Sequence, residues 1–326
     1  MNLLIFGCKD TTLHIAKSIA ELNVDLNLIT ISPEIANNAD VAGYLDLTKH
    51  KKRFNSIYTA NQYNLKNKED LNYFKSIKCD LGIAIGWQRL IPENILNLFE
   101  IGVFGMHGSS RDLPYGRGRS PLNWSIIEDR KIFYTNLFKY DVGVDDGPIL
   151  DTISFSINPS DTAETLHYKN TLSMINLLKK NWVKLTENDL KLKKQKKGKG
   201  SYYPKRSPDD GILDWRQDIY SIDRMVRAVS KPFFGSFSYK KNLMLKIFRA
   251  NIFQLDTEDH SFMAKKLGEV CDVFPNGKFL IRCNGGILIV HEYEYLGSEI
   301  LPGDILNSPL DKIKKFPKNS EGYFDI

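Results

Sequence analysis

Apolar positions near the N-terminus fall into short blocks, and the residues between them repeat at helical spacing. Leu3 to Phe6 is fully apolar and stops at Gly7, after which Ile15, Ala16, Ile19 and Leu22 line one helix face. Val24 to Ile31 largely alternates before Ser32-Pro33 interrupts it. A β-α-β start of this kind predicts a parallel sheet whose strands are buried on both faces. Asp80 to Gly86 repeats the buried-strand pattern, Pro92 opens a helix carrying Ile95, Leu96 and Phe99, and Ile101 to His107 returns as a strand. Another strand is predicted over Thr135 to Tyr140. The expected fold class is α/β, with an open, mostly parallel, Rossmann-like sheet.

The pattern changes towards the C-terminus. Ile219, Ile222, Val226 and Val229 trace one face of a helix whose other side shows Asp223, Arg224 and Arg227. Short apolar or alternating runs follow at Gly235 to Tyr239, Met244 to Phe248, Glu269 to Phe274, Phe279 to Cys283 and Ile287 to Tyr293. Asn276-Gly277 and Asn284-Gly285-Gly286 separate them as turn signals. These runs predict a small, OB-like β-barrel preceded by a helix. Between the two patterns lie Lys191, Lys193, Lys194, Lys196, Lys197 and Lys199, closing on Gly198 and Gly200. Such a run repels itself and resists burial, so it reads as a solvated linker or exposed helix end, with contact to RNA phosphates as the alternative. The expected division is residues 1–190, a basic linker at 191–203, and a barrel domain at 204–326.

Composition narrows the function classes. The 326 residues carry 45 Lys plus Arg against 39 Asp plus Glu, and 42% are hydrophobic, which disfavours disorder, collagen and a membrane bundle. Cys8, Cys79, Cys271 and Cys283 are scattered without metal-ligand spacing, so buried thiols and no metal are expected. The N-terminus has no basic region ahead of its apolar block, unlike a signal peptide, and no apolar run reaches the ~18 residues of a spanning helix. A cytoplasmic protein is the resulting expectation. Gly7-Cys8-Lys9-Asp10 lacks the G-x-G-x-x-G spacing of a dinucleotide site, and no P-loop is present.

Unusual residues concentrate between Gly86 and Leu150. Ile101 to Ser110 brings His107 to the carboxyl end of a predicted strand, the edge where open α/β sheets bind ligands. Leu113-Pro114-Tyr115-Gly116-Arg117-Gly118-Arg119-Ser120-Pro121 then presents two guanidiniums, natural partners for a phosphate or carboxylate. Asp145 sits in a second turn, Asp141 to Leu150, at another strand end. A carboxylate within reach of an imidazole sets its tautomer and favours its charged form, so His107 and Asp145 form a candidate proton-handling pair. No nucleophile stands out, which favours direct transfer to an acceptor amine over a covalent enzyme intermediate.

These residues resemble the folate-dependent formyltransferase family, whose members include methionyl-tRNA formyltransferases and the N-formyltransferases of nucleotide-linked amino sugars. The resemblance rests on His107-Gly108-Ser109, Leu113-Pro114, Arg117-Gly118-Arg119 and Asp145-Asp146-Gly147-Pro148-Ile149, and reaches Pro204 to Trp215 and Arg227 to Phe237. It implies binding of 10-formyltetrahydrofolate as co-substrate, with Gly86, Trp87, Leu90, Ser109 and Asp141 around it. It also implies catalytic roles for His107 and Asp145, and attack on the formyl carbon by a primary amine. Arg117-Gly118-Arg119-Ser120-Pro121-Leu122-Asn123-Trp124 is nearer to the 4-amino-arabinose enzymes than to the tRNA enzymes. The resemblance thus implies a nucleotide-linked amino sugar as partner, with Arg117, Arg119 and Trp124 on the substrate side, a buried core indole being the other and favoured reading of Trp124. Methionyl-tRNA is the alternative acceptor, suited by the lysine run.

Two departures stand out. The family's asparagine lies two residues before the histidine, where this chain has Gly105. Loss of one oxyanion donor costs roughly 10²- to 10³-fold in rate. Either Ser109, Ser110 or a backbone N–H substitutes, or the chain is a catalytically impaired folate-binding protein. If the missing amide limits the rate, Gly105→Asn is expected to raise it. The loop Ser109-Ser110-Arg111-Asp112-Leu113-Pro114 is also two residues longer than the family's usual loop. A formate-releasing hydrolase, with water in place of the amine, leaves the second domain without a task.

Overall fold

Alternation along the first strand decides the architecture of the N-terminal part. In β1 (Asn2–Phe6), Leu3 and Ile5 enter one apolar core while Leu4 and Phe6 enter another, and all four are fully buried. A strand covered on both faces belongs in the middle of a layered sheet. The computed structural model describes residues 1–22, 24–196, 200–258 and 261–325, in two units. The first comprises Met1–Gly118, Ile132–Ser156 and Tyr168–Tyr202; the second comprises Arg119–Lys131, Ile157–His167 and Tyr203–Ile326.

The first unit is built on a seven-stranded sheet. In chain order its elements are β1, α1 (Asp10–Ile19), β2 (Asp25–Ile31), α2 (Pro33–Asn38), β3 (Ser56–Ala60), α3 (Lys68–Ser76), β4 (Leu81–Ala84), α4 (Glu93–Leu96) and β5 (Gly102–Ser109). After short β6 (Arg117–Gly118) the chain enters the second unit for α5 (Pro121–Ile127) and returns to the first with β7 (Ile132–Lys139) and β8 (Ile149–Ser156); α6 (Ala163–Thr186) begins in the second unit and continues in the first, and short β9 (Tyr202–Tyr203) stands where the first unit ends. The strand order is β3-β2-β1-β4-β5-β7-β8; β1 to β5 pair in parallel, and β7 and β8 extend the sheet antiparallel. Residues of α1 and α6 cover one face, and residues of α2, α3 and α4 the other. The α/β, mostly parallel expectation matches this sheet. The helix expected after Pro92 is only one turn long: Asn97 ends it, and Phe99 reaches the core from beyond its end.

In the second unit Asp218 caps α7 (Ile219–Ala228) by accepting from Ser221 N at 2.9 Å, and Ile219, Ile222 and Val226 turn inward as expected. Six antiparallel strands follow: β10 (Ser236–Lys240), β11 (Leu243–Leu255), β12 (Val270–Val273), β13 (Phe279–Cys283), β14 (Gly286–Tyr295) and β15 (Leu306–Asn307). Their order is β12-β13-β14-β11-β10-β15. β11 runs well past Phe248, bending at three irregularities in its pairing with β14. The two outer strands are joined by Val270 N to Asp304 O, Gly303 N to Val270 O and Leu306 N to Gly268 O, each 2.8 Å. The curled sheet thereby closes as a small barrel and leaves little free edge.

The expected linker at 191–203 behaves differently. Ile149 N donates to Lys193 O and Lys193 N to Ile149 O, both at 2.8 Å, and Leu192 packs on the first unit's core. The segment through Tyr202 belongs to the first unit, its described lysine side chains turned outward while its backbone is bound; Lys197, Gly198 and Lys199 lie outside the described residues. Charge repulsion governs the side chains and says little about the backbone. All four cysteines are buried thiols. Among the described residues no helix is long and apolar enough to cross a membrane, and no cluster of His, Cys, Asp and Glu is arranged to hold a metal.

Candidate active site

Pairing of β4 with β5 ends at Ala84 and Gly105, and β5 runs on against β7 with His107 opposite Asn136. Gly105, His107 and Ser109 are two residues apart and so share one face of the strand, Gly105 level with the last residue of β4 and the other two beyond it. His107 is 7% exposed. Its Nε2 lies 2.7 Å from Gly116 O. A carbonyl only accepts, so Nε2 carries a proton. Nδ1 stands 3.3 Å from Asp145 Oδ2. A proton arriving at Nδ1 thus meets a carboxylate, and the charged ring is partnered on both nitrogens.

Asp145 is held by its backbone as much as by its side chain. It adopts φ +51°, a left-handed conformation that aspartate tolerates better than most residues. Its Oδ2 also accepts from Gly118 N at 3.1 Å, while Oδ1 has no hydrogen-bond partner among the described residues. Two residues on, a Cβ at Gly147 would lie 1.8 Å from Lys139 O, so only glycine lets the turn close. Gln195 Nε2 donates to both Asp145 O and Gly147 O at 2.8 Å, and Gln195 Oε1 accepts from Arg117 Nη2. No sequence signal marked Gln195, an uncharged residue inside the lysine run.

The expected substrate-side residues separate. Arg117 is buried, donates to Gln195 and to Tyr202 Oη, and keeps its Nε unpartnered among the described residues. Its guanidinium therefore braces the Asp145 turn where an anionic ligand was expected. Arg119 and Trp124 belong to the second unit. Arg119 is exposed, whereas the Trp124 indole is 4% exposed, donates to Pro204 O at 2.9 Å and lies against Phe324, Phe316 and the Arg206 guanidinium. Its surroundings commit Trp124 to an aromatic core.

The expected folate residues line the strand ends of the first unit. Gly86, φ +73°, follows β4 so closely on α1 that a Cβ would lie 2.7 Å from Thr12 Oγ1. Trp87 is buried edge-on to Tyr63 and Phe6, and its Nε1 has no hydrogen-bond partner among the described residues. Tyr63 Oη accepts from Gln88 N at 2.9 Å and fixes the loop; burial pushes its phenol up from the usual tyrosine value. Leu90 is exposed at the loop's tip. Ser109 is buried and its hydroxyl accepts from Arg111 N at 3.2 Å, whereas Asp141 is exposed, as are Val142 and Val144 beside it.

Gly105 gives the largest surprise. A Cβ built there would lie 1.9 Å from Tyr140 Cε1, so the tyrosine ring already fills the space of any side chain at 105. The expectation that Gly105→Asn raises the rate is therefore corrected: the amide has no room while Tyr140 stays in place. Tyr140 N donates to Val103 O at 2.7 Å and its ring stacks on Phe138. Burial, helped by the charge of Asp145, pushes its phenol well up from the usual tyrosine value.

The sequence pattern of the formyl transferase family matches residues 5–174, and that of the formyl transferase C-terminal domain matches residues 205–309. The bifunctional polymyxin resistance protein ArnA of Wigglesworthia glossinidia brevipalpis is 28% identical over 231 residues, 71% of this chain. This chain spans only 35% of that protein. A methionyl-tRNA formyltransferase of Coxiella burnetii is 26% identical over 266 residues, 81% of this chain and 82% of that enzyme. Among solved structures, an N-formyltransferase from Helicobacter canadensis in complex with folinic acid and dTDP-3-aminofucose matches 90% of this chain and all of its own, with TM-score 0.62 at 18% identity. HypX from Aquifex aeolicus in complex with tetrahydrofolic acid matches 91% of this chain and 44% of its own, with TM-score 0.65 at 17% identity. Both structures share the fold described above.

Proposed function

Because the chain belongs to the formyl transferase family, we propose that it carries the formyl group of 10-formyltetrahydrofolate to the primary amine of a nucleotide-linked amino sugar. The His107–Asp145 pair at the sheet's carboxyl edge is the observation that carries this reading. The nearby strand ends fit a flat ring with polar edges: Leu90, Val142 and Val144 expose apolar surface, and Trp87 Nε1 is a buried donor without a partner among the described residues. Gly86, Trp87, Leu90, Ser109 and Asp141 would hold the folate. The folate supplies the electrophilic formyl carbon.

The chain's own groups then manage charge and protons. Negative charge grows on the formyl oxygen as the amine attacks, and a fixed positive group beside it lowers the barrier. His107, held between Gly116 O and Asp145, is the side chain placed to supply it. Asp145 Oδ2 is engaged by Gly118 N and faces His107, which leaves Oδ1 to receive the amine's proton directly or through water. Gln195 and Arg117 keep the carboxylate where this transfer needs it.

Support for an amino-sugar acceptor comes from the Arg117 to Trp124 motif with its exposed Arg119, from the ArnA relative, and from the Helicobacter protein's bound dTDP-3-aminofucose. A tRNA acceptor is the second reading, favoured by the length shared with the Coxiella enzyme and by the exposed lysines 191, 193, 194 and 196. Purified protein given 10-formyltetrahydrofolate and either nucleotide-linked amino sugars or charged initiator tRNA separates the two. A formylated sugar nucleotide is the expected product. Formylation of tRNA alone would overturn the acceptor, and no product from either would overturn the activity.

A further inference from the structure

The family pattern puts a side-chain amide two residues before the histidine, and in this chain a residue from another strand end occupies that space. The Tyr140 ring lies 1.9 Å, through Cε1, from where a Cβ on Gly105 would be, and its hydroxyl oxygen lies 2.7 Å from the same point. An asparagine nitrogen sits two bonds beyond its own Cβ, about 2.5 Å away by ordinary bond lengths. The phenol hydroxyl therefore stands at nearly the radius at which the missing amide would place its N–H. Residues 105 and 107 point to the same face of β5, so this hydroxyl lies on the His107 side of the strand.

We propose that the Tyr140 hydroxyl is the hydrogen-bond donor to the formyl oxygen in this chain, in place of the absent asparagine. The assignment rests on the formyl-transfer reading above. Among the described residues the hydroxyl has no hydrogen-bond partner, so its O–H is available. The ring is fixed before reaction by the Tyr140 N to Val103 O bond and by stacking on Phe138 at 5.3 Å, which spares reorganisation when charge develops. Burial and the nearby Asp145 charge keep the phenol protonated, so it remains a donor at any working pH. Ser109, the other hydroxyl on this face, lies on the far side of His107 from position 105 and already accepts from Arg111 N.

In the step itself the amine lone pair forms the new C–N bond while the carbonyl π pair moves to the formyl oxygen. Tyr140 donates a hydrogen bond to that oxygen and keeps its proton. The pair then returns as the bond from carbon to the folate nitrogen breaks, and the amine's proton passes by way of Asp145 to the leaving nitrogen. One bond forms, one breaks, and one proton is relayed.

Three variants of the full chain test the assignment with 10-formyltetrahydrofolate and the acceptor the wild type uses. Tyr140→Phe keeps the ring and removes only the hydroxyl; kcat is expected to fall about 10²- to 10³-fold with the folate KM within about twofold. A Tyr140→Phe kcat within about twofold of wild type would overturn the proposal. The double change Gly105→Asn, Tyr140→Ala opens the space and supplies the amide, and is expected to exceed Tyr140→Ala alone about tenfold or more. A double variant no faster than Tyr140→Ala would also contradict it. A wild type that forms no product with any acceptor overturns the activity and this assignment together, whereas an active wild type with an active Tyr140→Phe overturns the assignment alone.

Discussion

In the barrel, Lys240 Nζ lies 2.6 Å from Asp304 Oδ2; in the first unit, His107 Nδ1 lies 3.3 Å from Asp145 Oδ2. Both basic side chains are buried, yet the surroundings differ. Lys240 also donates to Glu299 O, Asp304 Oδ2 also accepts from Leu301 N at 2.7 Å, and the Asp304 carbonyl forms part of the barrel seam. Lys240, the Asp304 Oδ2 and the Asp304 carbonyl are thus tied to the strands that close the sheet. Asp145 sits in a left-handed conformation and is braced from behind by Gln195. A short pair tied into the barrel seam holds structure, whereas a longer pair on a left-handed turn at the sheet's carboxyl edge is equipped to move a proton.

Breaking the looser pair should leave the fold and remove the chemistry. Asp145→Asn is expected to lower formyl transfer about 10²- to 10⁴-fold with an unchanged thermal midpoint. Steady-state kinetics beside a melting curve check this, and a large drop in the midpoint would make Asp145 structural. The barrel pair should show the reverse. Asp304→Ala strands a buried ammonium and is expected to cost about 3 kcal/mol of stability, read from denaturant midpoints, with kcat per folded molecule unchanged.

The same pair has a pH signature. Burial pushes the Asp304 carboxyl up, but the Lys240 ammonium and Leu301 N–H outweigh it, so the group ends below its ordinary value. A depressed acid contributes its full stability above the unfolded value, about 3.9, and loses it as pH falls through the lower folded value. The gap between wild type and Asp304→Ala should persist from pH 7 to about 4 and shrink below that. A gap that instead closed between pH 7 and 5 would show that Asp304 does not carry it. The smallest effect is expected from Gln195→Ala. Freeing Asp145 O and Gly147 O should lower kcat about tenfold through misplacement of the carboxylate, with about 1 kcal/mol of stability lost.

The sequence revealed elements wherever burial is two-sided or strictly periodic. Leu3 to Phe6 and Leu81 to Ala84 are continuous apolar blocks because both faces of those strands are covered. Asn67, whose side chain caps α3 by accepting from Asp70 N, gave no equally visible signal, because α3 buries little of its length. His107 and Asp145 were legible because their neighbours carry glycines and a fixed order. Tyr140 and Gln195 were not. What matters about Tyr140 is the register that lays its ring on Gly105, and what matters about Gln195 is a backbone bridge between Lys193 and Ile149, neither of which leaves a local mark on composition.

Formyl transfer by an imidazole backed by a carboxylate is tested most directly by following the N-formylated acceptor by chromatography in a single turnover, wild type beside His107→Ala. Product from the wild type, with the variant slower by about 10²-fold or more and equally stable, is the predicted result. Equal rates from the two proteins would contradict it.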